Sequence, residues 1–223
     1  MNWNNDKELF AMMRRKLFTA VVGDILDTRS RLHQFLPREI QPLRDDMVVA
    51  GRAMPVLEAD LERPRGADEK PFGLMFESLD DLKPHEVYLV TGGSPTYSLW
   101  GELMSTRAMK LGAAGCVSNG PTRDTHGILA LNFPTFSTGR YAQDQRPRGE
   151  VVDFRVPVEI SGVRVSPGDI VFGDVDGVVI VPREIEQDVL AAALEKVDAE
   201  SKVRAAIESG VSAAEAFRRY GVM

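Results

Sequence analysis

The chain has 223 residues, of which 43% are hydrophobic and 27% charged, and its formal net charge at pH 7 is −6. This length and composition are sufficient for a sizeable core, and we expect residues 1–223 to form one domain. The acidic balance and the lack of a basic block argue against a nucleic-acid surface, and no apolar run is long enough to span a membrane. The N-terminal residues do not resemble a signal peptide, and the single cysteine, Cys116, lies in a predicted buried strand. We therefore expect a cytoplasmic protein without nucleic-acid or membrane partners.

Amphipathic patterns near the N-terminus predict two helices, at residues 6–17 and 19–26. Residues 47–57 are rich in strand formers, and residues 72–82 predict a helix. Between these two elements, the charged residues 58–70 predict an exposed loop. Such a loop either closes over a site or only connects its neighbours.

The stretch from residue 86 to residue 124 organises the rest of the chain. Residues 86–91 are apolar and β-branched, as expected for a buried strand, and a Gly-Gly-Ser-Pro loop follows. From Trp100 the apolar spacing becomes helical until Gly112, and residues 115–118 predict a second strand. A strand, a helix and a strand within about 35 residues are typical of a βαβ unit, whose two strands are parallel.

The second half of the chain is predicted to be rich in short strands. Residues 128–136 end in a strand that contains a proline, which places that strand at a sheet edge or opening. Residues 138–150 predict a polar loop, whose arginines suit either a ligand carboxylate or exposed ion pairs. Those arginines are Arg140, Arg146 and Arg148. Turn residues punctuate residues 151–182, which predicts several antiparallel strands, and residues 184–209 and 212–220 predict a C-terminal helical arm.

The predicted topology brings several reactive side chains to one edge of the sheet. The start of the crossover helix and the end of the second strand lie at the same edge, where open α/β sheets bind ligands. Unpaired amides of Leu103 and Met104 at the helix start suit a carboxylate or phosphate, and Arg123 adds a bidentate grip on the same anion. Asp124 is a hard oxygen ligand for a divalent cation, and Glu102 lies beside this group in the first helical turn.

Each of these charged residues also has a purely structural interpretation. An acidic residue such as Glu102 commonly occupies a first helical turn because it interacts favourably with the helix dipole. Arg123 and Asp124 follow shortly after a Gly-Pro pair, which is typical of a solvated turn. The predicted convergence of free amides, an arginine and two carboxylates is what favours a binding site.

Three features of the chain resemble the family of 4-hydroxy-4-methyl-2-oxoglutarate aldolases, which also contains the regulator of ribonuclease E activity A. They are the run LWGELM at residues 99–104, an acid followed after twenty residues by Arg123-Asp124, and the run GDVDGVVIVP at residues 173–182. Members are often mislabelled as demethylmenaquinone methyltransferases. The resemblance extends from about Val22 to the final helix. It implies an α/β fold of the swivelling β/β/α type, with a mixed sheet, a central βαβ unit and a β-rich second half. It also implies homotrimers or homohexamers with active sites between subunits.

The resemblance further implies roles for the residues around the helix start. Gly101 and the amides of Leu103 and Met104, together with Arg123, would hold the carboxylate of pyruvate or of a pyruvate-like 2-oxo acid. The implied protein is a metal-dependent (class II) lyase that cleaves a carbon–carbon bond of a 2-oxo acid to give pyruvate, and oxaloacetate decarboxylation is a second implied activity. Arg123 and Glu102 would be its catalytic residues.

A divalent cation, Mg²⁺ or Mn²⁺, is the implied cofactor. Asp124 would bind the metal, and Glu102 would hold a water on it. In the family a carboxylate from the C-terminal helix of a neighbouring subunit approaches the metal, and Glu200 is the matching residue here. The aldolases usually have aspartate at position 102. The extra methylene of this glutamate changes the reach of the acid and so the position of the water, which leaves the identity of the substrate open.

The alternative function is that of a noncatalytic regulator that binds a protein such as ribonuclease E. The regulators usually continue after Arg-Asp with further acids, whereas Thr-His-Gly-Ile follows in this chain at residues 125–128. That loop is more similar to those of the aldolases.

Overall fold

The computed structural model describes residues 3–63 and 70–221 of the chain. The helices are α1 (Asp6–Lys16), α2 (Thr19–Thr28), α3 (Met75–Asp80), α4 (Glu102–Lys110), α5 (Thr125–Leu131), α6 (Glu186–Glu208) and α7 (Ala213–Tyr220). The strands are β1 (Gln41–Pro42), β2 (Val49–Asp60), β3 (Glu86–Thr91), β4 (Gly115–Ser118), β5 (Thr135–Ser137), β6 (Gly149–Phe154), β7 (Val158–Ile160), β8 (Val163–Val165), β9 (Ile170–Asp174) and β10 (Gly177–Val181). A 3-10 turn at Arg183–Ile185 leads into α6.

Within the described residues, eight strands form one mixed sheet in the order β1-β5-β4-β3-β2-β9-β10, with β6 also paired to β2. Strands β2 to β5 run parallel to their neighbours in this group, whereas β9 and β10 run antiparallel. Phe35, in the segment that leads to β1, bridges Val179 of β10, which brings the two ends of the sheet close to each other as in a nearly closed barrel. The predicted mixed α/β architecture with a β-rich second half is confirmed.

The predicted central βαβ unit is also confirmed. Strands β3 and β4 are parallel, with Tyr88 aligned to the buried Cys116, and α4 connects them. Gly112 ends the helix with φ of +79°, a conformation that glycine adopts without steric cost, and its amide donates to the Met109 carbonyl at 3.0 Å. This connection places the start of α4 at the same sheet edge as the C-terminal end of β4.

Two apolar clusters cover the two faces of the sheet. One contains side chains of α1, α2 and α6, and the other contains side chains near α3, α4 and α5. Along β10, Val179 and Val181 belong to the first cluster, whereas Val178 and Ile180 belong to the second. This alternation is what a strand buried on both faces requires, because successive side chains point to opposite sides.

The helices predicted at the two ends of the chain are confirmed. The Asn5 side chain caps α1 by accepting a hydrogen bond from the Glu8 amide at 3.0 Å. Asp174 of β9 accepts a hydrogen bond from the Thr19 amide at 2.7 Å, at the start of α2. None of the helices in residues 3–63 and 70–221 combines the length and apolar character needed to cross a membrane.

The prediction of an exposed loop at residues 58–70 is wrong for the first residues of that range. Strand β2 continues to Asp60, and only 3% of Glu58 is exposed, because β6 pairs with this end of β2 and covers it. Residues 64–69 lie outside the described part of the chain. The helix predicted at residues 72–82 is present as α3 but is shorter than predicted, at Met75–Asp80. Helix α5 was not predicted from the sequence.

Candidate active site

A cavity of about 360 Å³ opens at the sheet edge where β4 ends and α4 begins. Its polar lining residues are Arg123, Asp124, Asp144 and Gln145. Its other lining residues are Phe72, Met75, Phe76 and Leu79 on one side, and Leu99, Trp100, Gly101, Leu103 and Met104 on the α4 side. The structure thus brings five of the predicted site residues to one cavity: Gly101, Leu103, Met104, Arg123 and Asp124.

Gly101 is the N-cap of α4, and it has an extended backbone and no side chain to cap the first amides. The Ser105 amide donates to the Gly101 carbonyl at 3.1 Å, so the amides of the first three helical residues, including those of Leu103 and Met104, have no intrahelical acceptor. A Cβ atom at position 101 would lie 2.8 Å from Oδ2 of Asp124. A side chain at position 101 would therefore displace the Asp124 carboxylate from its place beside the helix start.

Arg123 and Asp124 reach this position because the backbone after β4 runs beside the start of α4. The Arg123 amide and the Thr122 hydroxyl both donate to the Trp100 carbonyl, each at 3.0 Å. Nη1 of Arg123 lies 3.0 Å from Oδ1 of Asp144, and its Nε lies 3.6 Å from Oδ2 of Asp124. The Arg123 side chain is 38% exposed, so a ligand carboxylate can still reach its guanidinium.

Asp124 is held in a left-handed backbone conformation with φ of 55°, at the start of α5. Its side chain does not cap the amides of that helix. The carboxylate is therefore directed to the cavity lining beside Gly101 instead of being used for helix capping.

The Glu102 side chain lies between α4 and α5 and is not part of the cavity lining. Its Oε1 accepts a hydrogen bond from the Thr106 hydroxyl at 2.8 Å. Its Cγ packs closely against Gly127 of α5, where an added Cβ would lie only 2.5 Å away. Glu102 is therefore near Asp124, which precedes α5, but its Oε1 is already bonded along its own helix.

Glu200 lies on α6, which packs against α2 and α7, and its Oε1 lies 3.8 Å from Nζ of Lys196. It does not line the cavity, so its implied approach to the metal from a neighbouring subunit stays a prediction. Across the described residues there is no group of three or more histidine, cysteine or acidic side chains that would enclose a metal ion. Asp124 is the carboxylate best placed to bind one beside the helix start.

The polar loop after β5 supplies two cavity residues that the sequence analysis does not identify, Asp144 and Gln145. The loop is drawn to the site because the Ser98 amide donates to the Gln143 carbonyl at 2.9 Å. Nε2 of Gln145 donates to the buried Glu58 at 2.6 Å. No sequence signal marks these residues, since their position depends on the path of the loop.

Glu58 is a buried acid directly behind the cavity lining. Burial raises the pKa of its carboxyl most, the hydrogen bond from Gln145 lowers it and the nearby Asp60 carboxylate raises it, and together they bring it to about 8. Asp60 itself accepts a hydrogen bond from the Tyr97 hydroxyl at 2.8 Å. The raised pKa favours the protonated, neutral form of Glu58 where Gln145 of the loop contacts it.

The three arginines of the polar loop do not line the main cavity. Nη2 of Arg140 donates to the Leu43 carbonyl at 3.1 Å, and Nη1 of Arg148 donates to a carbonyl within the loop at 2.9 Å. Arg146 is exposed. Arg140 lines a second cavity of about 270 Å³, which shares the Arg-Asp pair with the first one.

Comparison with known proteins agrees with this architecture. A protein of Halalkalibacterium halodurans named "Putative 4-hydroxy-4-methyl-2-oxoglutarate aldolase" is 31% identical over 210 residues, which cover 93% of both chains. Protein DlpA of Legionella pneumophila is 29% identical over 182 residues, or 81% of this chain. The match covers 29% of DlpA, so the chain spans less than a third of that relative.

A crystal structure of Streptomyces coelicolor RraAS2, described as an unusual member of the RNase ES inhibitor RraA protein family, superposes with a TM-score of 0.76 and 25% identity. The superposition covers 91% of this chain and 99% of RraAS2. The RraA-like family model, described as Aldolase/RraA, matches residues 19–180. The chain therefore belongs to the RraA-like family.

Proposed function

We propose that this chain is a divalent-metal-dependent lyase that cleaves a carbon–carbon bond of a 2-oxo acid and releases pyruvate. The observation that carries this proposal is the single cavity lined by the α4 helix start, Arg123 and Asp124. Pyruvate places a carboxylate next to an oxo group, and the cavity offers anion donors next to a hard oxygen ligand. The aldolase name of the Halalkalibacterium halodurans relative supports the same reaction class.

The helix start and Arg123 would bind the substrate carboxylate. The free amides of Leu103 and Met104 point along the helix axis, where the dipole also favours an anion. Arg123 would donate to the same carboxylate through its guanidinium, which Asp144 holds from the other side at 3.0 Å. This arrangement would fix the 2-oxo end of the substrate beside Asp124.

The residues beside the helix start fit Mg²⁺ or Mn²⁺ as cofactor. Mg²⁺ is commonly bound through one or two carboxylates, with water and substrate oxygens completing the shell, so Asp124 alone is a sufficient protein ligand. When bound, the cation would stabilise the negative charge that develops on the 2-oxo oxygen during cleavage. Asp124 would in addition fix the position of the 2-oxo group relative to Arg123.

Aldol cleavage requires a group that accepts the proton of the 4-hydroxyl. The C3–C4 bond then breaks, C4 becomes a carbonyl, and C3 takes up a proton to give pyruvate. Glu102 is our candidate for holding the water that accepts the proton. Its Oε1 is bonded to Thr106, whereas its Oε2 makes no hydrogen bond within the described residues and is left for that water.

The last part of the proposal concerns the oligomeric state of the protein. We expect a homotrimer or homohexamer in which Glu200 of a neighbouring copy approaches Asp124. Within one chain, α6 belongs to the apolar cluster on the other face of the sheet, so Glu200 would have to approach the site from another copy.

The test is pyruvate formation from oxaloacetate and from dicarboxylic and monocarboxylic 4-hydroxy-2-oxo acids, with Mg²⁺ or Mn²⁺ and with excess chelator. We expect chelation to abolish pyruvate release, and Arg123→Ala and Asp124→Ala each to lower kcat/KM about a hundredfold or more. Arg107→Ala is the matched control, because Arg107 is an α4 surface arginine whose Nε lies 2.7 Å from Asp80. Release that survives chelation would contradict metal dependence. No release from any substrate by folded, metal-loaded protein would contradict the lyase and favour a noncatalytic binding protein.

Glu102→Gln tests the proton step separately. Decarboxylation of oxaloacetate does not require removal of a hydroxyl proton, so this variant should lower aldol cleavage about tenfold more than decarboxylation. Equal losses of both activities would assign Glu102 to substrate or metal placement instead.

A further inference from the structure

One wall of the main cavity is apolar and comes from α3 and the turn before it. Phe72 and Phe76 pack edge to face, with ring centroids 5.7 Å apart and an interplanar angle of 78°. Met75 lies buried beside them. Phe76 is 49% exposed, and Leu103, which also lines the cavity, is 79% exposed. A large apolar area is therefore available to a bound molecule.

The turn that presents this wall is fixed by strand β6. The Phe72 carbonyl accepts a hydrogen bond from the Val151 amide at 3.1 Å, and the Leu74 amide donates to the Val151 carbonyl at 2.8 Å. Gly73 has φ of +60°, and a Cβ there would lie 2.3 Å from the Val151 carbonyl oxygen. The wall is therefore preformed, which favours an apolar ligand group because little has to be reorganised on binding.

Within one chain, a divalent cation at Asp124 would leave the cavity lining with a net charge that one substrate carboxylate balances. Among the described lining residues Arg123 is the only cation, and Asp124 and Asp144 are the only anions. A divalent cation at Asp124 would change the net lining charge from −1 to +1. A second substrate carboxylate at the Phe72 and Phe76 wall would meet no cation among the described lining residues of that wall, whereas an apolar group there would gain contact with both rings.

From the wall and these charges we propose that the substrate has a single carboxylate, at its 2-oxo end, and a branched aliphatic or aromatic group at C4. That group packs against Phe72 and Phe76. The inference rests on the proposed lyase function and names its substrate class. With this preference, the protein would differ from an aldolase that cleaves dicarboxylic substrates.

The competing arrangement uses Arg140. This arginine lines the second cavity, which shares the Arg-Asp pair with the main one, and there it would meet a second carboxylate. Its Nη2 already donates to the Leu43 carbonyl, and the second cavity is smaller, at about 270 Å³ against about 360 Å³. The apolar cavity is therefore the better place for the C4 group.

The test compares two substrates that differ only in one group at C4. In 4-hydroxy-4-methyl-2-oxopentanoate a methyl replaces the distal carboxylate of 4-hydroxy-4-methyl-2-oxoglutarate, and both release pyruvate on cleavage. We expect kcat/KM to be about tenfold or more higher for the methyl compound. Phe76→Ala should reduce this preference at least threefold, whereas Phe217→Ala, an exposed phenylalanine on α7, should leave it unchanged. Equal rates, or a preference for the dicarboxylate that Arg140→Ala removes, would overturn the proposal.

A binding measurement separates failure of this inference from failure of the lyase assignment. Calorimetry with 2-oxo-4-methylpentanoate and with 2-oxoglutarate, in the presence of Mg²⁺, should show tighter binding of the monocarboxylate even without turnover. Tighter binding of 2-oxoglutarate would overturn the substrate class whether or not pyruvate is released. A Phe76→Ala variant that changes the oligomeric state but not the selectivity would also overturn it, and would assign the wall to an interface between copies.

Discussion

The buried carboxyl of Glu58, behind the cavity lining, allows a test of the structure that does not require catalytic activity. Glu58 is 3% exposed at the covered end of β2, and Gln145 donates a hydrogen bond to its Oε1 at 2.6 Å. Burial is the main reason that its pKa rises from an ordinary value of 4.5 to about 8 in the folded protein. Glu58→Gln keeps the shape and an acceptor oxygen for Gln145, but it removes the titration.

The sign of the pH dependence follows from proton binding. Between pH 4.5 and about 8 the folded protein holds a proton on Glu58 that the unfolded chain releases, so the contribution of Glu58 is most favourable below pH 4.5 and is lost as the pH rises towards 8. At about 1.4 kcal/mol per unit of pKa difference, the complete effect is about 5 kcal/mol, and about 4 kcal/mol of it falls between pH 5 and pH 9.

The assay is urea unfolding of the wild-type protein and of Glu58→Gln at pH 5, 7 and 9. The free energy of unfolding of the wild type should fall relative to the variant by about 4 kcal/mol across this range. Glu159→Gln, which removes an exposed carboxylate on β7, controls for the change in net charge. Parallel pH profiles for wild type and Glu58→Gln would refute the reasoning, because they would mean that Glu58 titrates alike in the folded and unfolded chains.

Three further substitutions test the local geometry. Gly101→Ala should lower kcat/KM for pyruvate release about tenfold, because the new Cβ would lie 2.8 Å from Oδ2 of Asp124; unchanged kinetics would contradict this close approach. Ser105→Ala removes the acceptor of the buried Trp100 indole N–H at 2.7 Å and should lower the free energy of unfolding in urea by about 1–3 kcal/mol. Asn5→Ala removes the cap of α1 and should cost about 1 kcal/mol in the same assay; no loss would mean that the cap is dispensable.

The sequence by itself determined the central unit and much of the site. The apolar run of β3, the helical spacing of α4 and the stop at Gly112 are local signals, since each depends on side chains within a few residues of one another. The parallel arrangement of the two strands then follows from the length of the connection. The meeting of the helix-start amides with Arg123 and Asp124 needs only this topology, so it was predictable.

Only the tertiary structure decided which polar residues are buried and which loop residues reach the site. Glu58 belongs to a charged stretch, but β6 pairs with that end of β2 and removes the carboxyl from water. Asp144 contacts Arg123, which lies 21 positions earlier in the chain, because the polar loop folds back across the end of the sheet. The direction of the Glu102 side chain depends on the packing of α4 against Gly127 of α5, an element without a sequence signal.

The apolar wall is the clearest case of this division. In the sequence, Phe72 and Phe76 look like apolar residues of an ordinary helix face. The residues around them do not indicate whether the two rings pack in the core or line a ligand cavity. Backbone bonds to Val151, which lies far along the chain, turn the segment so that both rings line the cavity. Local patterns fix helices and strands because they arise from neighbouring residues, whereas burial and pocket shape arise from contacts between distant ones.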